Sequence, residues 1–391
     1  METSFSPCVT HIDLECIRRN LHRVPAPAHE LMPVVKSDAY GHGLEPVARV
    51  LAAEGVRHFA VGTVSEGASL RQWGFDQTVV PLLGAPTPEQ MQQAAVQGVT
   101  PLVYSGAHLR CAVAQSSPER PLSVANKCET GMGRLGFTPE DVPAVVETLR
   151  TAPWVRPYLA LSHLSCADMP EQDAYTRQQA KVFFDMCDTL REAFPALQRS
   201  LCNSAASLVY LEFKGELLRP GEILYGGNPL CGTAWEARAA GFESAMSVST
   251  PVLHQYTLDA GQSVSYGRTF TAPHPMRVAV LGIGYADGYS RRLSNKASVC
   301  IAGRRAPLCG RVCMGMAMAD VTHIPQADVE ADPVAWVMGG GGQEAVTLQE
   351  LADVWGTIPY EVQCLLGRNT RRYSPDAVGD TQTVGAAGTY A

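Results

Sequence analysis

Lys36 is the first residue whose type and position could support chemistry. It follows the apolar residues 31–35, and Tyr40, Gly41 and Gly43 come soon after it. An amine at the end of a buried strand is partly desolvated, which lowers the pKa of the amine and makes it a nucleophile. A surface lysine that caps a strand is more common among lysines in general. The neighbouring tyrosine and glycines favour a functional role for this one.

Alternating strand-like and helix-like segments would position this lysine. The predicted strands are residues 31–36, 57–62, 78–83, 99–104, 121–128, 155–161, 199–203 and 217–224. The predicted helices are residues 44–54, 65–73, 88–97, 107–115, 139–150 and 172–193. This spacing predicts an α/β fold of eight βα units, a closed (β/α)8 TIM barrel, with an open doubly wound sheet as the alternative. Chemistry in such a barrel gathers at the carboxyl ends of the strands, where Lys36 would lie.

The pattern changes after about residue 240. Strand-like segments follow at 248–258, 264–269, 277–283, 297–302, 306–312, 317–321 and 333–338, with one helix at 348–355. Short strands separated by turn residues predict a second, mostly-β domain. We therefore expect a barrel at residues 9–241, a C-terminal β domain at 242–376 and a frayed tail at 377–391.

Composition and charge restrict the class of protein. Of the 391 residues, 46% are hydrophobic and 18% charged, so the chain has ample material for a packed core and is not disordered. The formal net charge of −7 argues against a nucleic-acid partner. No apolar stretch approaches the roughly 20 residues of a membrane span, and residues 1–13 lack the pattern of a secretory signal. The twelve cysteines include no Cys-x-x-Cys pair, so we expect no metal site, reduced thiols and a cytoplasmic protein.

Ten segments of the chain together resemble one known family. Besides residues 34–43, they are 127–136 (KCETGMGRLG), 162–163 (SH), 203–206 (NSAA), 219–221 (RPG), 225–226 (YG), 265–267 (SYG), 284–288 (GYADG), 311–314 (RVCM) and 360–361 (YE). In order and spacing they are similar to the motifs of alanine racemases, which use pyridoxal 5′-phosphate (PLP). The resemblance runs from about residue 9 to about residue 373 and implies a barrel followed by a β domain.

The resemblance implies a two-base racemisation. Lys36 would carry PLP as a Schiff base and then act as a base at Cα of the substrate. Tyr266 would be the second base on the opposite face. A phenol with a pKa of about 10 needs nearby cations to act as a base, and His163 and the barrel arginines are candidates. Alone, Tyr266 would be an ordinary half-buried aromatic residue in a strand.

Arg219 resembles the family's partner of the pyridine nitrogen. A guanidinium keeps its proton, so the ring nitrogen would stay unprotonated and the cofactor would be a weak electron sink, which discourages transamination. An isolated arginine before a proline would more simply form a structural salt bridge. The resemblance also implies cofactor contacts from Tyr40, His163, Asn203, Ser204, Gly221, Glu222 and Tyr360, with the phosphate at the loops after the seventh and eighth strands. Ser204 could instead be a plain helix N-cap.

The resemblance assigns Arg134 to the substrate carboxylate, through bidentate pairing. The backbone N–H of Met314 would meet the same carboxylate, and Tyr285 and Tyr360 would narrow the entry and favour alanine. Lys127 matches a lysine that is often carbamylated in this family. Without that modification Lys127 would repel the arginine, unless Glu129 intervenes.

The family's β-domain residues reach the active site of the other subunit. The resemblance therefore implies a head-to-tail homodimer in which Tyr266, Tyr285 and Met314 complete the barrel site of the partner. No partner other than this second subunit and a small amino-acid substrate is expected.

Two residues depart from the family pattern. Gly315 stands where an aspartate is usual and removes a carboxylate near the substrate, and Ser200 stands where a histidine supports the arginine at the pyridine nitrogen. Glu222, where an apolar residue is common, is a lesser difference. These changes favour either drift with compensation or a shifted activity, such as racemisation of serine or another amino acid.

Racemisation of alanine, with D-alanine supply as the usual family role, is the leading hypothesis. A PLP-dependent decarboxylase is a weaker one, because the Gly-Glu-Pro-Gly-Arg and Cys-Glu-Ser-Gly-Asp segments of barrel-type decarboxylases are absent from the sequence. A PLP-binding homologue with little racemase activity is the third, and only Gly315 and Ser200 support it.

Overall fold

The computed structural model describes residues 6–340 and 342–374, and the chain divides into two compact units. We call residues 18–39 and 44–242 the barrel unit, and the described parts of residues 1–17, 40–43 and 243–391 the β unit. The predicted tail at 377–391 lies outside the described residues.

Parallel strands form the centre of the barrel unit. They are His58–Val61, Thr78–Pro81, Leu102–Val103, Leu122–Lys127, Val155–Leu161 and Gln198–Ser200. The first two pair in parallel with each other, and the last four form a parallel sheet in chain order. Single parallel bridges join Leu31 to Leu218 and Val34 to Ala60, and these supply a first and an eighth extended segment.

Backbone hydrogen bonds close these segments into a ring. Thr100 donates to Val79 (2.9 Å) and links the third segment to the fourth. Leu217 donates to the carbonyl of Arg199 (3.1 Å), and Met32 donates to that of Leu218 (2.7 Å). Within the described residues of the barrel unit, the bonded path therefore passes through eight segments and returns to the first. This confirms the closed barrel and excludes the open sheet.

Helices follow the strands of the barrel unit. They are Leu44–Ala53, Val64–Gln72, Pro88–Gln97, Gly106–Ala114, Val142–Thr151, Asp173–Ala193 and Ala206–Val209. Local capping explains their bounds: the side chain of Thr87 accepts from the N–H of Gln90, Pro88 occupies the first turn, and Gly98 ends the helix in a left-handed conformation. Most predicted helices agree with the structure within three residues.

The β unit is built around one long strand, Met246–Leu258. Its antiparallel partners are Val9–Asp13, Met276–Leu281 and Val334–Met338. The other strands are Ser263–Val264, Phe270–Thr271, Ser298–Ile301, Arg304–Pro307, Ala317–Asp320 and Thr370–Ser374, and the helices are Gln326–Ala331, Leu348–Trp355 and Pro359–Leu366. This confirms a mostly-β C-terminal region.

Residues 9–17 differ from the predicted domain boundary. Strand Val9–Asp13 pairs with Met246–Leu258 and, in parallel, with Thr370–Ser374, so the N-terminal segment belongs to the β unit rather than to a barrel that starts at residue 9. Helix Leu14–Arg23 then leads from one unit into the other along the chain. Local sequence patterns do not show this pairing, because the strand finds its partners far away in the sequence.

All twelve cysteines lie in the described part of the chain and are free thiols, seven of them buried. None of the helices among the described residues is both long enough and apolar enough to cross a bilayer. The described residues also contain no cluster of potential metal ligands.

Candidate active site

His163 marks the place where the predicted barrel residues meet. Burial, and then the charges of Arg219, Lys127, Arg134 and Lys36, lower the pKa of His163 to about 3. The charges of four side chains from different segments of the barrel unit therefore act on one imidazole. This shift favours a neutral imidazole, so the arginines are the stronger candidates for the cations that Tyr266 would need as a base.

Lys36 is followed by an unusual backbone. Residues Ser37 to Tyr40 all have positive φ, between 52° and 55°. A left-handed conformation costs roughly 1–2 kcal/mol for each residue with a Cβ, because Cβ approaches the next carbonyl oxygen. The predicted strand thus ends in a left-handed turn, and other groups must stabilise it.

Arg219 is fully buried and its guanidinium is held by oxygen atoms. Nη1 donates to the carbonyl (2.5 Å) and the hydroxyl (2.7 Å) of Ser200. Nη2 donates to the carbonyls of Leu201 (3.1 Å) and Ser162. Burial lowers the pKa of Arg219 to about 10, so the side chain keeps its charge near neutral pH. Because the Ser200 hydroxyl contacts the guanidinium directly, serine at this position still supports the arginine.

Ser204 and Asn203, which follow the seventh barrel segment, form two different hydrogen bonds. The Ser204 hydroxyl accepts from the N–H of Gly221 (2.9 Å), which joins the loops after the seventh and eighth segments. Asn203 Oδ1 accepts from the N–H of Ala206 (3.0 Å), the first residue of the short helix Ala206–Val209. The side chain bonded to the start of this helix is therefore that of Asn203 and not that of Ser204. Glu222 is buried and begins the turn Glu222–Tyr225.

Glu129 organises the loop that carries Arg134. Its carboxylate accepts backbone N–H groups of Gly131 (2.6 Å), Gly133 (3.1 Å) and Arg134 (3.2 Å). Burial alone would raise the pKa of Glu129, but these N–H groups and the charge of Lys127 lower it. The Tyr175 hydroxyl donates to the carbonyl of Gly131 (2.7 Å) and fixes the loop from the other side.

We expect Glu129→Gln to weaken substrate binding more than turnover. The NH2 group of the glutamine would face backbone N–H groups, and two donors cannot bond to each other. The loop would lose charge-assisted hydrogen bonds, and Arg134 would no longer be held in one position. KM for the amino acid should rise about 10-fold while kcat falls less than threefold. Steady-state kinetics check this, with Glu140→Gln, on an exposed turn, as the control. An unchanged KM would contradict it.

Lys127 is buried beside the same loop. Its Nζ donates to the carbonyl of Cys128 (3.1 Å) and to the hydroxyl of Ser162 (3.4 Å). Burial, and then the charge of Arg219, lower the pKa of Lys127 to about 8. The neutral form of this amine is therefore more accessible than that of an ordinary lysine.

Tyr266 lies in a turn of the β unit instead of the predicted strand 264–269. The strand ends at Val264, and Tyr266–Arg268 forms a single 3₁₀ turn. The turn arises because Ser265 (φ 66°) and Gly267 (φ 72°) flank the tyrosine in left-handed conformations. The Ser265 hydroxyl donates to the carbonyl of Arg311 (2.6 Å) and holds this backbone.

The predicted site residues of the β unit are either exposed or packed as a pair. Tyr266, Tyr285 and Met314 are exposed, with 69%, 45% and 63% of their surface accessible. Tyr40 and Tyr360 are neighbours, with ring centroids 5.7 Å apart.

A cavity of about 580 Å³ is bordered by Tyr285, Gly315 and other residues of this unit. A Cβ at Gly315 would meet no atom within 4 Å, so no steric contact demands glycine there.

Two domain families match consecutive parts of this chain. They are the N-terminal domain of alanine racemase, over residues 12–229, and the C-terminal domain of alanine racemase, over residues 245–374. The chain belongs to the alanine racemase family. It is 49% identical to the alanine racemase of Nitratidesulfovibrio vulgaris over 373 residues, which are 95% of this chain and 99% of that protein.

Solved structures of alanine racemases share this fold. The biosynthetic alanine racemase from Pseudomonas aeruginosa is 33% identical, with a TM-score of 0.83 over 95% of this chain and 100% of that one. The alanine racemase from Bartonella henselae, solved with covalently bound pyridoxal phosphate, is 25% identical, with a TM-score of 0.81 over 95% and 100%.

The barrel residues of this alanine racemase homologue fit PLP, the family's cofactor. Among the described residues, no carboxylate pairs with the buried Arg219, so its charge is available to the lone pair of an unprotonated pyridine nitrogen. The Ser204 hydroxyl and the N–H of Gly221 lie where TIM barrels commonly bind phosphate. A phosphorylated aromatic ring suits this combination of buried cation and loop donors.

Sequence reasoning missed Glu66 in this family site. Its carboxylate accepts from the backbone of the turn after Lys36 and also caps helix Val64–Gln72. The signal was present in the sequence, because Thr63 and Glu66 have the spacing of a capping box directly after a strand.

Proposed function

We propose that this chain is a PLP-dependent alanine racemase, in which Lys36 and Tyr266 of a second subunit are the two bases. The observation that carries the proposal is the convergence of Lys36, Lys127, Arg134 and Arg219 around His163 at one end of the barrel unit. With Lys127 neutral or carbamylated, Arg134 and Arg219 still supply positive charge for a substrate carboxylate and a cofactor phosphate. The two family matches, over residues 12–229 and 245–374, support the same chemistry.

The residues of the site divide the work of binding. Arg134 would hold the substrate carboxylate with both arms of its guanidinium, on the loop that Glu129 fixes. Arg219 would face the ring nitrogen of PLP, and the phosphate would lie against Ser204 and Gly221. Tyr40, His163, Asn203, Glu222 and Tyr360 would complete this pocket, and Met314 and Tyr285 would contact the substrate.

Proton transfer requires two groups on opposite faces of the substrate. PLP, when bound, draws electrons from Cα and makes the α-hydrogen acidic. The Nζ of Lys36 would remove or return this proton on one face, and the hydroxyl of Tyr266 would do so on the other. Because the two groups lie on opposite faces of Cα, each would remove the α-hydrogen of one enantiomer.

The exposure of Tyr266, Tyr285 and Met314 supports a homodimer. These large side chains expose 69%, 45% and 63% of their surface, and a second subunit could cover them. We infer that the β unit of one subunit completes the barrel site of the other. Each dimer would then have two composite sites related by a two-fold axis.

Mixing two inactive variants should restore activity. In a dimer of Lys36→Ala with Tyr266→Phe, one site carries both substitutions and the other carries neither. Random reassortment makes half of the dimers mixed, so we expect about a quarter of the wild-type activity. Assays before and after joint refolding measure this. No recovery, with mixed dimers verified by mass, would contradict the sharing of residues between subunits.

We propose that Lys127 is carbamylated. Its lowered pKa provides the neutral amine that adds to carbon dioxide, and the product would carry a negative charge towards Arg134. Carbon-13 NMR of protein equilibrated with labelled bicarbonate tests this. A carbamate signal that persists in Lys127→Arg would assign the modification to another amine.

The function is tested by incubating the holoenzyme with each L-amino acid and separating the enantiomers by chiral chromatography. We expect D-alanine to form fastest, in keeping with a supply of D-alanine. Faster racemisation of serine would indicate that Gly315 has shifted the specificity. Loss of carbon dioxide would indicate a decarboxylase, and PLP binding without exchange of the α-hydrogen with deuterated solvent would indicate a binding protein.

A further inference from the structure

The left-handed turn after Lys36 is bound by the carboxylate of Glu66. Oε1 of this carboxylate accepts from the N–H groups of Ser37 (2.7 Å) and Asp38 (3.4 Å). Oε2 accepts from those of Gly62 (2.6 Å) and Thr63 (3.1 Å). One side chain therefore joins the turn after the first barrel segment to the end of the second.

The fit between these two segments is close. A Cβ at position 62 would lie 2.9 Å from Oε2 of Glu66 and 3.4 Å from Cβ of Lys36. Gly62 thus lets the second segment approach the lysine and the carboxylate together. Four N–H groups also match the four lone pairs of a carboxylate, which no neutral side chain of this length provides.

We propose that Glu66 is a positioning residue that sets the direction of the Lys36 amine through the left-handed turn. The proposal rests on the proposed function of Lys36 as the PLP-binding base. Ser37 and Asp38 expose their N–H groups in this conformation, and the carboxylate stabilises them by charge-assisted hydrogen bonds. Without the carboxylate, the turn would relax towards ordinary φ values and carry Lys36 with it.

A purely structural role of Glu66 makes a different prediction. Glu66 and Thr63 form a capping box: the Thr63 hydroxyl accepts from the N–H of Glu66 (3.1 Å). Thr63→Val removes this cap and leaves the carboxylate facing the turn. It is therefore a matched control for Glu66→Gln, which weakens both the cap and the turn.

The experiment compares the two variants as full-length protein loaded with PLP. Borohydride reduction followed by peptide mapping gives the fraction of PLP attached at residue 36, and absorbance follows the pH titration of the bound cofactor. We expect both variants to lose a few degrees in Tm. Only Glu66→Gln should lower the attached fraction and shift the spectroscopic pH midpoint.

Kinetics add a second readout. Glu66→Gln should slow α-hydrogen exchange on the order of 100-fold for the enantiomer that Tyr266→Phe spares, since misplacing a base by about 1 Å can cost this much. Thr63→Val should stay within threefold of wild type. If Glu66→Gln matched Thr63→Val in attachment, titration and exchange, the positioning role would be overturned. If wild type attached no PLP at residue 36, the proposed function itself would fail.

Discussion

Lys36→Ala is expected to abolish racemisation and the visible absorbance of bound PLP. The substitution removes the amine that would bind the cofactor and transfer the proton on one face. Loss of such a group lowers turnover by about 10⁴-fold or more. The fold should persist, because Glu66 holds the backbone of Ser37 and Asp38 and does not depend on the lysine side chain.

The control for this prediction is Lys181→Ala. Lys181 lies on helix Asp173–Ala193 of the same unit, exposes 75% of its side chain and pairs only at the surface with Asp185. We expect full activity and normal absorbance from this variant. Circular dichroism establishes that both variants are folded. Full activity in Lys36→Ala would refute the assignment of the anchor.

Tyr266→Phe is expected to impair proton exchange from one enantiomer far more than from the other. The change removes a hydroxyl from a highly exposed ring, so it costs little stability. Loss of a general base or acid typically reduces the rate by about 10²–10⁴-fold. Exchange of the α-hydrogen with deuterated solvent, measured separately from L- and D-alanine, gives both rates.

Tyr256→Phe is the matched control for this second variant. Tyr256 lies on strand Met246–Leu258 and packs against the apolar cluster of the β unit. It should leave both exchange rates within twofold of wild type. Equal losses from the two enantiomers in Tyr266→Phe would argue against two distinct bases.

Local periodicity predicted most of the barrel unit. Helix Pro88–Gln97 has the predicted bounds because Thr87, Pro88 and Gly98 are local signals. Strand Val9–Asp13 was missed as a member of the β unit, because its pairing with Met246–Leu258 depends on distant residues. The turn at Tyr266 was read as strand because Ser265 gives no local sign of positive φ.

The motifs predicted the residues of the candidate site, but they did not predict the contacts that support those residues. The charges of Arg219 and Arg134 both act on His163, and the lowered pKa of His163 follows from burial and these charges, which the motifs alone do not show. The sequence suggested that serine at position 200 removes the support that a histidine gives the arginine in this family. In the structure the Ser200 hydroxyl lies 2.7 Å from Nη1 of Arg219 and accepts a hydrogen bond from it. The role of Glu66 depends on a left-handed turn of four residues other than glycine, which no propensity predicts.

The cations around His163 also link the supply of PLP to the lifetime of the protein in the cell. Burying Arg219 opposes folding, as its lowered pKa shows. An anionic molecule that binds only the native state offsets this cost and shifts the folding equilibrium. In a cell starved of PLP, the chain would spend more time unfolded, and proteases would remove it sooner.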